Sequence, residues 1–316
     1  MSAFGPVPSR RLGRSVGINN IPAKTCSYAC VYCQVGQTLR RRIERQGFYA
    51  PERIVKEVTA HVARARSLGE PVDYLTFVPD GEPTLDRALG EEIARLKTLG
   101  IRIAVITNAS LIQRADVRRD LAKADLVSLK VDAISEAAWR RVNRPHGYLK
   151  LEDIVDGMLT FARAFSGEIL TETMLVDAVN DHDEDLEGLA EFLAELGPSR
   201  AYVAVPTRPP AEPWVQPAGE AVVNRAYHLF SDALGTGRVE YLLGYEGNAF
   251  ASTGNVEEDL LSITAVHPMR EDAVDSFLRK ANADWRVVET LTREGTLLAL
   301  TYRGHTFYMR KLPSRH

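Results

Sequence analysis

The sequence predicts an α/β fold: a partial (β/α)6 barrel over residues 1–250, followed by a small helix-and-hairpin domain over 257–316. Three observations predict it. Six strand-like stretches alternate with helical ones between Ser15 and Leu234, the order that builds parallel sheets with right-handed crossovers. No glycine-rich dinucleotide turn follows the first strand, which favours a barrel over a doubly wound sheet. The polar, turn-forming sets fall where these strands end, and that rim of a barrel carries the chemistry.

Ser15–Asn20 is a short apolar alternation closed by Pro22, and a loop holding every cysteine of the chain follows it. Pro51 and Glu52 open a helix, with proline in its first turn, an acid at its positive end, and Ile54, Val55, Val58 and Val62 on one face. Val72–Val78 is strand-like and runs into Pro79-Asp80-Gly81-Glu82-Pro83; the helix after it, from about Leu85 to Thr98, stops at Gly100. The strand Ile101–Ile106 enters Thr107-Asn108. A helix near 111–123, the strand Asp125–Asp132, a helical stretch and the helix Leu151–Phe165 follow. The strand Glu168–Val176, the helix Asp183–Leu196, the strand Ala201–Val205 and the helix Ala218–Leu234 complete the alternation.

Residues 235–256 carry Gly235, Gly237, Gly244, Gly247 and Gly254 and read as a connection holding a short strand, Val239–Leu243. Glu257–Val266, Arg270–Ala281 and Asp284–Arg293 have helical spacing, and Thr296–Gly304 with His305–Arg310 reads as a hairpin. Three helices and a hairpin resemble a winged helix. Its nine acids and nine bases from Glu257 onward give no concentrated positive face, so docking onto the barrel, a peptide or RNA all stay open.

With 45% hydrophobic and 26% charged residues and a net charge of −3, the chain is no bulk polycation that coats nucleic acid. It shows neither a signal-peptide core nor an apolar run near the ~20 residues of a membrane span, so a cytoplasmic protein with no membrane partner is expected. Before Tyr49, however, eight basic residues (Arg10, Arg11, Arg14, Lys24, Arg40, Arg41, Arg42 and Arg45) stand against one acid, Glu44. A positive field around the cysteine loop follows.

The three cysteines, Cys26, Cys30 and Cys33, lie within eight positions. A disulfide framework would need an even number, and structural zinc would recruit a fourth Cys or a His, of which the nearest downstream is His61. A [4Fe–4S] cluster held by three thiolates leaves one iron open for chemistry.

This C-x3-C-x2-C motif, with Tyr32 before its last cysteine, resembles the signature of radical S-adenosylmethionine (SAM) enzymes. The resemblance implies a [4Fe–4S] cluster on Cys26, Cys30 and Cys33, with SAM chelating the fourth iron. It further implies an electron donor such as flavodoxin or ferredoxin, and a 5′-deoxyadenosyl radical that takes hydrogen from a substrate. Gly81-Glu82-Pro83 resembles the turn that receives the SAM ammonium. Thr107 and Asn108 are placed to bind its ribose or carboxylate, as are Ser128, Lys130 and Asp132, which share one strand face. Glu172 is expected to face the same cavity.

Residues 1–215 resemble the branch that includes the wyosine-forming tRNA enzymes, with Gly5-Pro-Val-Pro-Ser-Arg-Arg-Leu-Gly13 and Asn143-Arg-Pro-His146 adding to the match. The cysteines needed for a second cluster are absent. The expected substrate is RNA or another phosphate-bearing molecule, met by Arg10, Arg11, Arg208, Glu212 and Trp214. The alternatives are radical modification of a peptide or protein recognised by the winged helix, and a redox regulator in which a cluster biases a winged-helix binder.

Overall fold

The computed structural model describes residues 2–38, 40–235, 237–243 and 250–311. Its sheet starts with a hairpin that the strand pattern did not reveal: β1 (Ala3–Ser9) runs antiparallel to β2 (Gly13–Ile18). The cysteine loop is pinched between β3 (Thr25–Cys26) and β4 (Arg40–Arg41), a two-stranded parallel ladder. After α1 (Pro51–Ser67) come β5 (Tyr74–Phe77), α2 (Leu89–Leu96), β6 (Arg102–Thr107), α3 (Ala115–Leu121) and β7 (Leu126–Lys130). Next are α4 (Glu136–Asn143), α5 (Leu151–Ala164), β8 (Glu168–Met174), α6 (Asp183–Leu196), β9 (Arg200–Ala204), α7 (Glu220–Leu234) and β10 (Val239–Leu242).

The sheet order is β1-β2-β5-β6-β7-β8-β9-β10, and every pair after the first is parallel. This is the α/β partial barrel that alternation predicts, with one correction. The short strand inside the expected connection joins the sheet beside β9, so seven parallel strands stand where six were expected. Its Val239 is buried, which draws the segment onto the sheet rather than into solvent. Gly244 and Gly247 lie outside the described residues.

Parallel strands covered on both faces read as unbroken apolar runs, and Tyr74–Phe77 is buried throughout. Ile54, Val58 and Val62 of α1 and Leu89, Ile93 and Leu96 of α2 pack into that core. The helix expected over 85–98 is interrupted: the Asp86 carboxylate accepts the Ala88 N–H at 2.9 Å, holding Asp86 extended between a 3-10 turn at Pro83–Leu85 and α2. Gly100, at φ +67°, then ends the run in a left-handed conformation that glycine adopts freely.

The tail comprises α8 (Val256–Val266), β11 (Met269–Arg270), α9 (Glu271–Lys280), α10 (Arg286–Arg293), β12 (Leu297–Tyr302) and β13 (His305–Arg310). The hairpin is present, and β11 makes it a three-stranded antiparallel sheet. A second core forms around Leu260, Ile263, Phe277, Leu291 and Leu297. Phe250, read from sequence as the last barrel residue, belongs to this second core. No helix among the described residues is long and apolar enough to cross a membrane.

Glu92 of α2 is fully buried, and neither carboxylate oxygen has a hydrogen-bond partner among the described residues. Burial, followed by repulsion from Asp86, lifts its pKa to about 9. A carboxyl whose folded pKa lies above its unfolded value holds its proton more tightly when folded, so stability falls as pH rises through that interval. Glu92→Gln should therefore gain on the wild type between about pH 5 and 9, by up to about 1.4 kcal/mol per pH unit. Denaturant melts across that range check it, and parallel pH profiles for the two proteins would refute it.

Candidate active site

A cavity of about 280 Å³ opens at the C-terminal ends of the parallel strands, and all three cysteines line it. Their loop is held against the end of α4. Ala29 N–H donates to Asn143 O (3.0 Å) and Val31 N–H to Val142 O (2.9 Å), while Trp139 Nε1 donates to the Tyr28 hydroxyl at 3.1 Å. Turns from Cys33 N to Cys30 O (3.1 Å) and Gly36 N to Cys33 O (3.0 Å) fold it back on itself. Two side-chain amides approach the sulfurs, Asn108 Nδ2 to Cys26 Sγ and Asn143 Nδ2 to Cys30 Sγ, each at 3.4 Å.

Burial pushes all three thiols up, Cys30 to about 12. Glu82 adds to the effect at Cys26 and Asp132 at Cys30, and the thiols also raise one another. All three line one cavity, and their ionisation calls for positive charge inside it. Among the described residues no three His, Cys, Asp or Glu side chains enclose a single metal ion. Three sulfurs on one wall suit a polynuclear centre whose irons take one thiolate each.

Gly81 sits where nothing larger fits, because a Cβ there would lie 1.9 Å from the Thr25 carbonyl oxygen. The parallel bridge between Thr25 and Gly81, with the Glu82 N–H to Thr25 O bond (3.1 Å), fastens the turn to the start of the cysteine loop. Glu82 is buried. Its Oε1 accepts from Thr84 N (3.0 Å), Thr84 Oγ1 (2.6 Å) and Thr107 Oγ1 (2.6 Å), and its Oε2 from Asn108 N (2.8 Å). Burial still raises its pKa against those bonds. The hydroxyl of Thr107 is thereby engaged by protein rather than turned to a ligand.

Asp80 presents the opposite case. It is buried at the cavity wall, both its oxygens lack a partner among the described residues, and burial holds its pKa at about 7 against the pull of Lys24 and Arg310. Across the cavity, Lys130 Nζ lies 2.8 Å from Glu172 and 3.3 Å from Asp132, and Arg11 pairs with the same Glu172. Burial would raise the Glu172 pKa, but the two cations outweigh it and hold it at about 2. The Tyr32 hydroxyl donates to Asp132, and Lys130 Nζ stands 5.0 Å from the Tyr32 ring centre.

Of the residues singled out by sequence, the cavity gathers the cysteines, Tyr32, Gly81, Glu82, Thr107, Asn108, Lys130, Glu172, Arg11 and Arg208. Ser128, Asp132 and Pro83 lie behind its wall. Ser128 meets Arg11, Asp132 serves Tyr32, Asn143 and Met174, and the Pro83 carbonyl accepts from Asn20. Arg10, Glu212 and Trp214 lie outside the cavity lining. Glu212 N–H bonds Val31 O and its carboxylate pairs with Arg144, pulling this loop outward over the cysteine loop and leaving Trp214 51% exposed.

The sequence reading gave no site role of their own to Lys24, counted among the flanking bases, to Asp80 and Asn143, quoted within motifs, or to Gln34. It also missed Val266 and His267, through which the tail reaches the site: Val266 O accepts from Gln34 Nε2 (3.1 Å), and Arg208 Nη2 meets His267 Nε2 at 2.9 Å. Asp80 was readable as the residue before the glycine turn. The tail residues carried no such signal.

A model of the radical SAM superfamily matches residues 20–205. The chain belongs to the radical SAM superfamily. It is 47% identical over 313 residues to a UPF0026 protein of Methanocaldococcus jannaschii, covering 99% of this chain and 97% of that one. Among solved structures, a radical SAM methyltransferase from Sphaerobacter thermophilus is similar in fold, with a TM-score of 0.53 and 17% identity over 72% of this chain and 66% of that one. TYW1 with a lysine–pyruvate adduct bound matches equally, with TM-score 0.53 and 17% identity over 69% and 73%. As a radical SAM enzyme the protein uses a [4Fe–4S] cluster and SAM.

The Glu172 network is testable apart from catalysis. Glu172→Gln leaves Arg11 and Lys130 as buried cations with one carboxylate between them, and should lower unfolding stability by about 3–5 kcal/mol. Adding Arg11→Met should restore part of the loss. Additive losses in the double variant would count against the coupling.

Proposed function

We propose that Cys26, Cys30 and Cys33 hold the cluster, and that SAM lies between the Asp80–Glu82 turn and the Lys130–Glu172 wall. The convergence of the three thiols on one cavity at the strand ends carries this reading. When bound and reduced, the cluster would supply one electron to the SAM sulfonium, whose C–S bond would break to give methionine and a 5′-deoxyadenosyl radical. The rest falls to the chain.

Asp80, with two acceptor oxygens unmatched, suits the SAM ammonium better than Glu82, whose Oε1 already takes three bonds. Glu82 instead fixes the backbone of Asn108, whose amide orients Cys26. Asn143 does the same for Cys30. Lys130 and Glu172 offer a charged pair to the carboxylate and ribose, with Asp132 positioning Lys130 and Tyr32 from behind.

The substrate we propose is phosphate-bearing, with RNA in that class. Lys24 and Arg208 support it, since both are cations in the cavity lining and neither belongs to the Arg11–Glu172–Lys130 network. We further propose that residues 257–316 form a winged-helix-like domain with a core of its own, docked on the barrel, where it closes the site. The separate cluster around Leu260 and Phe277 supports that division.

Anaerobic reconstitution with dithionite and SAM should yield 5′-deoxyadenosine. Cys30→Ala should abolish both the cluster's visible absorbance and SAM cleavage, and retention of either would overturn the ligand assignment. Comparing tRNA nucleosides and phosphorylated metabolites with and without the gene identifies the substrate. A difference confined to unphosphorylated peptides would reject a phosphate-bearing one.

A further inference from the structure

The three sulfurs have different polar neighbours. Asn108 Nδ2 approaches Cys26 Sγ and Asn143 Nδ2 approaches Cys30 Sγ, each at 3.4 Å. Among the described residues no side-chain amide meets Cys33, and the group on its side is Lys24. The Lys24 ammonium lies 3.2 Å from the point that a Cβ on Gly36 would occupy, and the Gly36 N–H closes the turn onto Cys33 O at 3.0 Å. Lys24, Cys33 and Gly36 line the same cavity. Burial raises the Cys33 thiol, and the charge of Lys24 is the strongest pull against it.

Lys24 differs from the cations across the cavity. Arg11 and Lys130 both meet the Glu172 carboxylate. Lys24 is only 7% exposed, yet among the described residues no ion pair or side-chain hydrogen bond holds its ammonium, and Asp80 attracts it through space alone. Its N–H donates to Asp80 O at 2.8 Å, and its φ of +61° is left-handed, a region that suits glycine better than lysine. A lysine here therefore costs stability twice, through its backbone and through a buried charge without a partner. Negative charge gathered beside it offsets that cost.

We propose that Lys24 sets the reduction potential of the cluster, holding it above the value that the three thiolates alone would give. The proposal rests on the cluster assignment above and adds to it an electrostatic role for one residue. Reduction adds one electron, and so one negative charge, with no bond formed or broken. A cation fixed beside one ligand stabilises the reduced form more than the oxidised one. The amides at Cys26 and Cys30 act in the same direction as dipoles, and Lys24 brings a full charge.

The test is an anaerobic potentiometric titration of the reconstituted full-length protein without SAM or substrate, with dithionite supplying the electron and the EPR signal of the reduced cluster as the readout. At a given solution potential, Lys24→Gln should lower the ratio of reduced to oxidised cluster by about tenfold or more, a fall in midpoint of about 59 mV or more for one electron. Lys24→Arg keeps the charge and should stay within about threefold of the wild-type ratio. Lys24→Gly removes the charge while easing the left-handed backbone, so it should show the same fall with a melting temperature no lower than that of Lys24→Gln.

Unchanged midpoints in Lys24→Gln and Lys24→Gly would overturn the proposal and leave Lys24 to the substrate. An equal fall in Lys24→Arg would also overturn it, because packing rather than charge would then be the cause. If Lys24→Gln disturbs the loop and assembles no cluster, Lys24→Gly decides. A wild type that assembles no iron–sulfur chromophore would remove the cluster reading and this proposal with it, an outcome recognised by the absence of any signal to titrate.

Discussion

The buried carboxylate of Glu82 ties three pieces of chain together, and the active end of the barrel depends on it. It takes four hydrogen bonds from the Thr84 and Asn108 backbones and the Thr84 and Thr107 hydroxyls, which lie after β5 and at the end of β6. A charge without solvent persists only when its lone pairs are satisfied in this way. Through Asn108 the same group reaches Cys26, and through the Glu82 N–H it reaches Thr25. The neighbouring Gly81 has no room for a side chain against Thr25, so the turn and the cysteine loop form one rigid unit. Two strand ends and the cysteine loop are thereby fixed to each other by protein groups alone.

The opposite wall is organised by charge rather than by saturation of one group. Arg11 and Lys130 converge on Glu172, and Lys130 also faces Asp132. Lys130 remains charged despite burial because those carboxylates outweigh its desolvation. The first hairpin, which carries Arg11, is thus tied to β7 and β8 across the interior of the sheet. This gives β1 and β2 a role in the site that their position at the sheet edge would not suggest.

What the sequence made legible followed from local rules. The alternation of apolar strands and helices, the proline and glycine boundaries and the cysteine spacing all depend on neighbours within a few residues, so the parallel order and the three sulfurs could be read directly. Glu82 and Lys130 were found through motif and period. The roles of Asp80 and Asn143 could not be read this way, because one is defined by the absence of a partner and the other by contact across more than 100 residues. Trp214 shows the converse. A stiff, aromatic loop after β9 invites a substrate reading, yet Glu212 pairs with Arg144, which no local pattern encodes, and Trp214 is half-exposed outside the cavity lining.

The tail meets residues at the rim of the cavity through three hydrogen bonds. The end of α8 offers the Val266 carbonyl to Gln34, one residue beyond Cys33, and His267 to Arg208, while the Tyr302 hydroxyl donates to Pro206 O at 3.2 Å. For Arg208 to donate, His267 Nε2 must be the acceptor, so the ring is neutral with its proton on Nδ1. Burial and the guanidinium both press its pKa well below the ordinary value, which keeps it so at neutral pH. The seam therefore joins a residue adjoining the cysteine loop to one on the rim after β9, and since Val266 itself lines the cavity, the shape of the cavity depends on the tail as well as on the barrel.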